Sequence, residues 1–112
     1  MNWNNLTEIQ QLETVKKESN EQAVAIFKHS TRCSISATAL DRFERNFSKN
    51  SNDKGVKFYY LDLIAHRDIS NRIASDFGVE HQSPQLLLLK NGEVTYSESH
   101  YGIDFNDVVE RV

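Results

Sequence analysis

The sequence has little of several features that define whole classes of protein. Among its 112 residues are one cysteine, one proline and four glycines, which argues against collagen-like chains and against a framework of internal disulfides. Its apolar runs, such as Ala23–Phe27 and Leu86–Leu89, are far shorter than the roughly 20 residues needed to span a bilayer. Positive charge is not in excess, because the formal net charge is −3. We therefore expect neither nucleic acid nor a membrane surface as a partner.

The first residues bear on where the protein works, and the chain length bears on the number of domains. Residues 1–5 lack the basic stretch, the apolar segment and the cleavage site that mark signal peptides. We therefore expect a cytoplasmic protein. A chain of this length matches one domain, so residues 1–112 are predicted to form a single domain around one core, and we expect a monomer.

Hydrophobic periodicity predicts an alternation of helices and strands. The predicted order is a helix over 7–18, a strand over the apolar run 23–27, a helix from 33 to 46 or 48, a strand over 56–63, a helix over 67–77, a hairpin of strands 85–90 and 93–97, and a terminal helix capped by Asp104. The polar segment 48–55 is predicted to be a solvated loop within this domain.

This order of elements predicts the fold class. Two strands joined through a helix run parallel with a right-handed crossover, and the later hairpin adds antiparallel neighbours to the same sheet. The economical packing is an α/β fold with a mixed four-stranded sheet and helices on both faces. That is the thioredoxin-like architecture.

Cys33 is predicted to lie where the first strand gives way to the second helix. Unpaired backbone N–H groups and the helix dipole at such a junction stabilise a thiolate. The flanking residues Thr31, Arg32 and Ser34 are polar, which favours a reactive thiol over the alternative of a small buried hydrophobic residue. Arg32 is a candidate to hold a thiolate or a substrate carboxylate, and the alternative is an ordinary surface arginine.

Ser36 follows Cys33 by three residues, which is where a dithiol oxidoreductase has its second cysteine. Cys33-Ser34-Ile35-Ser36 is therefore a one-thiol version of that motif, and release of a mixed disulfide would need an external thiol. The four histidines are scattered without a pairing that suits a metal, so no metal site is predicted. A Cys–His pair for acyl transfer, with His29 or His81, is the less favoured alternative.

Pro84 opens the apolar run of the predicted hairpin. X–Pro bonds are usually trans, with cis in only about 5–6% of cases. The predicted architecture changes this expectation, because in thioredoxin-like folds the corresponding strand begins with a cis proline that faces the nucleophilic cysteine. We therefore predict a cis peptide bond between Ser83 and Pro84.

Two segments carry a family resemblance. The run Lys28-His29-Ser30-Thr31-Arg32-Cys33-Ser34-Ile35-Ser36-Ala37, together with His81-Gln82-Ser83-Pro84-Gln85, resembles the monothiol bacilliredoxins. These are thioredoxin-like bacterial proteins that use bacillithiol as their low-molecular-weight thiol. The resemblance spans nearly the whole chain, but Ser34 departs from it, since many relatives have proline directly after the cysteine.

The resemblance implies a function and a set of site residues. Cys33 would take bacillithiol from a mixed disulfide with a client protein, so bacillithiol would be a co-substrate and no tightly bound cofactor is expected. Substrate contacts would come from Thr31, Arg32, Ser34, Ser36, Ser83 and Pro84. Two alternatives remain open: an adaptor that binds a partner strand beside Pro84 without catalysis, and a monothiol glutaredoxin that uses glutathione.

Overall fold

A computed structural model describes residues 1–49 and 52–112 of the chain. Its elements in chain order are β1 (Asn4–Asn5), α1 (Gln11–Glu18), β2 (Val24–His29), α2 (Ser34–Lys49), β3 (Lys57–Asp62), α3 (Arg67–Phe77), β4 (Gln85–Lys90), β5 (Glu93–Ser99), a short 3₁₀ turn (His100–Gly102) and α4 (Phe105–Glu110). The order therefore confirms the predicted alternation. The predicted loop 48–55 includes Asn50 and Ser51, which lie outside the described residues.

The strands form one mixed sheet in the order β1-β3-β2-β4-β5. β2 pairs in parallel with β3 and antiparallel with β4, as the thioredoxin-like prediction requires. The prediction of four strands was one short, because Asn4–Asn5 pairs in parallel with β3 at the sheet edge. Two polar residues have no periodic pattern by which a strand could be recognised. The Asn4 amide also donates to the Phe58 carbonyl at 3.0 Å, which ties this segment to the edge.

Helix α1 is shorter than predicted. The sequence predicts a helix from residue 7, but it begins at Gln11. The Gln11 side-chain oxygen accepts hydrogen bonds from the backbone N–H groups of Thr7 and Glu8, at 2.7 and 2.9 Å. A side chain thus satisfies these two groups outside the helix, and residues 9–10 form a turn ahead of it.

The sheet separates two apolar clusters. On one face Phe27 packs with Phe43 of α2 and with Phe105 of α4. On the other face Ile26 packs with residues of α1 and with Ile73 of α3. Successive residues of β2 thus point to opposite faces, and all six residues of this strand are buried because helices cover both faces.

Two tight turns follow the sequence signals. Gly78 ends α3 in the left-handed conformation, with φ of 65°, and Asn91-Gly92 joins β4 to β5 with positive φ at both residues. Over the described ranges, no helix has the length and apolar character to cross a membrane.

Candidate active site

Cys33 directly precedes the first residue of α2. Its backbone N–H donates to the Ser30 carbonyl at 3.3 Å, and its carbonyl accepts from the Ala37 N–H at 3.1 Å, which is the first hydrogen bond of the helix. The residue is half-buried and belongs to neither apolar cluster. The structure thus places the thiol at the open N-terminal end of a 16-residue helix, where backbone N–H groups and the helix dipole favour a negative charge.

The Ser83–Pro84 peptide bond is cis, which confirms the prediction. In the antiparallel pairing of β2 with β4, Lys28 lies opposite Gln85. Residues 30–33 follow β2, and Ser83–Pro84 directly precedes β4. Both segments therefore lie at the same end of the sheet. Pro84 is buried, whereas Ser83 is half-buried.

The polar residues around Cys33 divide into two groups. Thr31, Arg32 and Ser34 are exposed, so they lie where an incoming disulfide could meet them. Ser36 is fully buried and is held inside the protein. The structure therefore brings the first group, but not the Ser36 hydroxyl, to the surface beside the thiol.

Ser36 is part of a buried network with the end of β2. Its hydroxyl oxygen accepts from the Ser30 N–H at 3.0 Å and lies 2.7 Å from Nδ1 of His29. Burial lowers the pKa of His29, against the opposing effect of the Asp62 and Glu44 carboxylates, so the imidazole is neutral at pH 7. The network joins the end of β2 to the first turn of α2, and Cys33 lies between them. Sequence reasoning named His29 only as a partner for acyl transfer and missed this positioning role.

A second buried polar group lies on the opposite face of β2. Lys28 is 0% exposed, and its ammonium donates to the Ser70 carbonyl at 3.2 Å and lies 3.4 Å from Nδ1 of His81. Burial lowers the pKa of Lys28 to about 8. Sequence reasoning gave Lys28 no role. The available signal was a lysine that directly continues an apolar strand run.

Comparison with solved structures defines the class of protein. The chain is similar to a protein assigned as an oxidoreductase with a thioredoxin fold, with a TM-score of 0.79 and 33% identity, covering 95% of this chain and 89% of that one. It is also similar in fold to Malassezia sympodialis thioredoxin (TM-score 0.70, 20% identity, 98% and 87% covered) and to Fasciola hepatica thioredoxin (0.69, 15%, 96% and 93%). The fold and site are those of a thioredoxin-like oxidoreductase with a single thiol.

A family model narrows this class. The model of the monothiol bacilliredoxin BrxC matches residues 4–108. The chain therefore belongs to the monothiol bacilliredoxin family, as the resemblance of its two segments implied. Membership of this family supports the assignment of the protein as a thiol-disulfide oxidoreductase.

Proposed function

We propose that this protein removes bacillithiol from mixed disulfides with client proteins, by monothiol exchange at Cys33 in the cytoplasm. The proposal depends on the position of the chain's one cysteine. Cys33 lies at the start of α2, at the same end of the sheet as the cis Ser83–Pro84 bond. Membership of the bacilliredoxin family supports bacillithiol as the thiol.

The exchange step conserves electrons and atoms. The Cys33 thiolate attacks the bacillithiol sulfur of the mixed disulfide, so that a bond forms between Cys33 and bacillithiol while the bond to the client breaks. The client cysteine leaves as a thiolate and takes a proton from solvent. Because Ser36 has no sulfur, a second bacillithiol thiolate must then attack the adduct, which yields bacillithiol disulfide and free Cys33.

The surface beside Cys33 suits an extended substrate. The backbone groups of Ser83 would pair with a client segment by strand addition. Thr31, Arg32 and Ser34 are exposed around the thiol and would contact the polar groups of bacillithiol. In this arrangement Ser36 acts from within the protein, by holding the turn that presents Cys33.

Intact mass measurement tests the proposal. The reduced protein is incubated separately with bacillithiol disulfide, glutathione disulfide and coenzyme A disulfide, and the Cys33→Ser variant serves as the control. We expect an adduct with bacillithiol on Cys33 and none in the variant, together with recovery of the free thiol of a bacillithiol-modified client. An adduct with glutathione alone would indicate the glutaredoxin-like alternative, and no adduct with any thiol would indicate an adaptor.

A further inference from the structure

A small cavity that has no role in the mechanism above lies at the end of the sheet where β3 ends and β4 begins. Cys33 follows β2 at the same end. The volume of the cavity is about 70 Å³, and it is lined by Leu63, Arg67, Ser70, Asn71 and His81. It therefore lies between the start of α3 and the loop that leads into Ser83–Pro84. By volume it accommodates two or three water-sized groups, which is enough for one carboxylate and too little for an entire thiol molecule.

Two of the residues that line this cavity, Arg67 and His81, are basic, and the buried Lys28 ammonium lies beside His81. In the described part of the chain, neither Lys28 nor Arg67 takes part in an ion pair. The charges that act on His81 are those of Lys28 and Arg67, and both are positive. A buried ammonium without a carboxylate partner is costly. An anion in the cavity would offset that cost.

The hydrogen bonds of His81 fix which ring nitrogen can meet a ligand. Lys28 can only donate while it is protonated, and its ammonium lies 3.4 Å from Nδ1 of His81. The Ser70 hydroxyl lies 3.3 Å from the same nitrogen. Nδ1 is therefore the acceptor, and the ring proton is on Nε2. His81 is exposed, so this N–H is available as a donor to a ligand.

We propose that this cavity binds a carboxylate of the low-molecular-weight thiol, held by the Arg67 guanidinium and the His81 Nε2–H in front of the buried Lys28 ammonium. Bacillithiol and glutathione both carry carboxylates. The inference rests on the proposed function, because it needs such a thiol at Cys33. Arg67 begins α3 where β3 ends, and His81 lies three residues before Pro84. The cavity thus lies at the end of the sheet at which Cys33 follows β2.

The test measures binding without exchange. The Cys33→Ser protein is titrated with bacillithiol disulfide, glutathione disulfide or the neutral bis(2-hydroxyethyl) disulfide, while the imidazole NMR signals of His81 are followed. We expect a saturable shift with either carboxylate-bearing disulfide and none with the neutral one. Adding Arg67→Gln should weaken this binding about tenfold, because one charge-assisted hydrogen bond is lost. The stronger binder of the two disulfides identifies which thiol the site prefers.

Arg72→Gln in the same background is the matched control. Arg72 lies on the same helix and pairs with Asp76 away from the cavity, so its loss changes the net charge equally and should leave the affinity unchanged. The inference is overturned by the absence of a saturable His81 shift, or by equal affinities of the Arg67→Gln and Arg72→Gln proteins. Saturable binding to the Cys33→Ser protein, combined with a wild-type protein that restores no client thiol, would reject the proposed function and leave the carboxylate site standing.

Discussion

Two residues at the start of α2 have different roles: Cys33 is the candidate nucleophile, and Ser36 holds the backbone around it. Cys33 is half-buried and offers its sulfur at a helix N-terminus, whereas Ser36, one turn later, is buried and hydrogen-bonded to His29 and to the Ser30 N–H. In a dithiol oxidoreductase the second position supplies the resolving sulfur. Here the same position supplies a hydroxyl that joins the end of β2 to α2, so the turn remains ordered without a second thiol.

Replacing Cys33 with serine should abolish thiol exchange and leave the fold intact. Serine is close in size to cysteine and suits the residue that precedes a helix. Because Cys33 lies outside both apolar clusters, the free energy of unfolding should change by less than about 1 kcal/mol. Client-thiol recovery and chemical denaturation measure the two effects. Exchange at the wild-type rate in this variant would contradict the assignment of Cys33 as the nucleophile.

Replacing Ser36 with cysteine should create a pair that closes an internal disulfide with Cys33. Release of bound bacillithiol would then no longer depend wholly on external thiol. The variant should also lose about 1–2 kcal/mol of stability, because a thiol is a weaker partner for His29 and for the Ser30 N–H. Thiol titration after mild oxidation measures closure.

Ser34→Cys is the matched control for that experiment. It places a second thiol in the same turn but adjacent to Cys33, where an eight-membered ring resists closure. Two free thiols in oxidised Ser36→Cys, as in oxidised Ser34→Cys, would show that Cys33 and residue 36 do not approach each other at the helix start.

At the scale of elements, the last two residues of β2 anchor one helix on each face of the sheet. His29 bonds to Ser36 of α2, and Lys28 donates to the Ser70 carbonyl of α3. Both contacts lie at the end of β2 that leads to Cys33. Alternation of side chains along the strand makes this double anchoring possible, and it fixes α2 and α3 relative to the proposed site.

The end of α3 offers a test of backbone conformation alone. Gly78 has φ of 65°, and a Cβ added there would meet no atom within 4 Å. Gly78→Ala should therefore destabilise the protein by about 1 kcal/mol through the left-handed backbone and not through a clash. Ser75→Ala, at an exposed position within the same helix, should be neutral or slightly stabilising. Equal unfolding midpoints for Gly78→Ala and the wild type would contradict this account.

At the scale of the whole molecule, helices on both faces of the sheet shield β2 from water. Burial of the two polar residues at the end of this strand therefore costs free energy. Lys28 and His29 are 0% and 7% exposed, and burial lowers the pKa of each. The folded state therefore binds fewer protons at these groups than the unfolded chain does, over the pH range between the folded and unfolded pKa values.

This difference predicts a pH dependence of global stability. The pKa of Lys28 is about 8 in the folded state against 10.5 in the reference state. Between these values the unfolded chain binds the additional proton, so the free energy of unfolding should rise with pH. From pH 8 to about 9.5 the expected rise is about 1.5 kcal/mol, and Lys28→Met should remove it.

Denaturant titrations at several pH values measure this slope. The range stays below pH 10 because burial raises the pKa values of Tyr59 and Tyr60, and their ionisation gives the opposite slope at higher pH. Lys57→Met is the control, since that lysine is half-buried and its pKa is raised by the Glu18 carboxylate. Identical slopes for the wild type and Lys28→Met would contradict the assignment of the slope to Lys28.

The sequence by itself determined the order of elements and the position of the thiol. The apolar run 23–27, the helical stripe that begins after Cys33 and the Asn91-Gly92 turn each depend on local physics: burial on both faces, a period of 3.6 residues and positive φ. Each of these patterns is formed by residues that lie close to one another along the chain. They therefore predicted the mixed sheet. The cis bond at Pro84 was predicted from the thioredoxin-like architecture that this order of elements implies, and not from the local sequence.

Only the tertiary structure decided which polar residues face inward. The sequence marks Ser36 only by its spacing from Cys33 and Lys28 only as the continuation of an apolar run. Their partners are distant: Ser36 contacts His29 across seven residues, and Lys28 contacts Ser70 and His81 across 42 and 53. The edge strand Asn4–Asn5 is likewise set by β3, which lies more than 50 residues away along the chain. Such pairings depend on how helices and strands pack in space, and a buried polar group is recognisable only when its partners are in place.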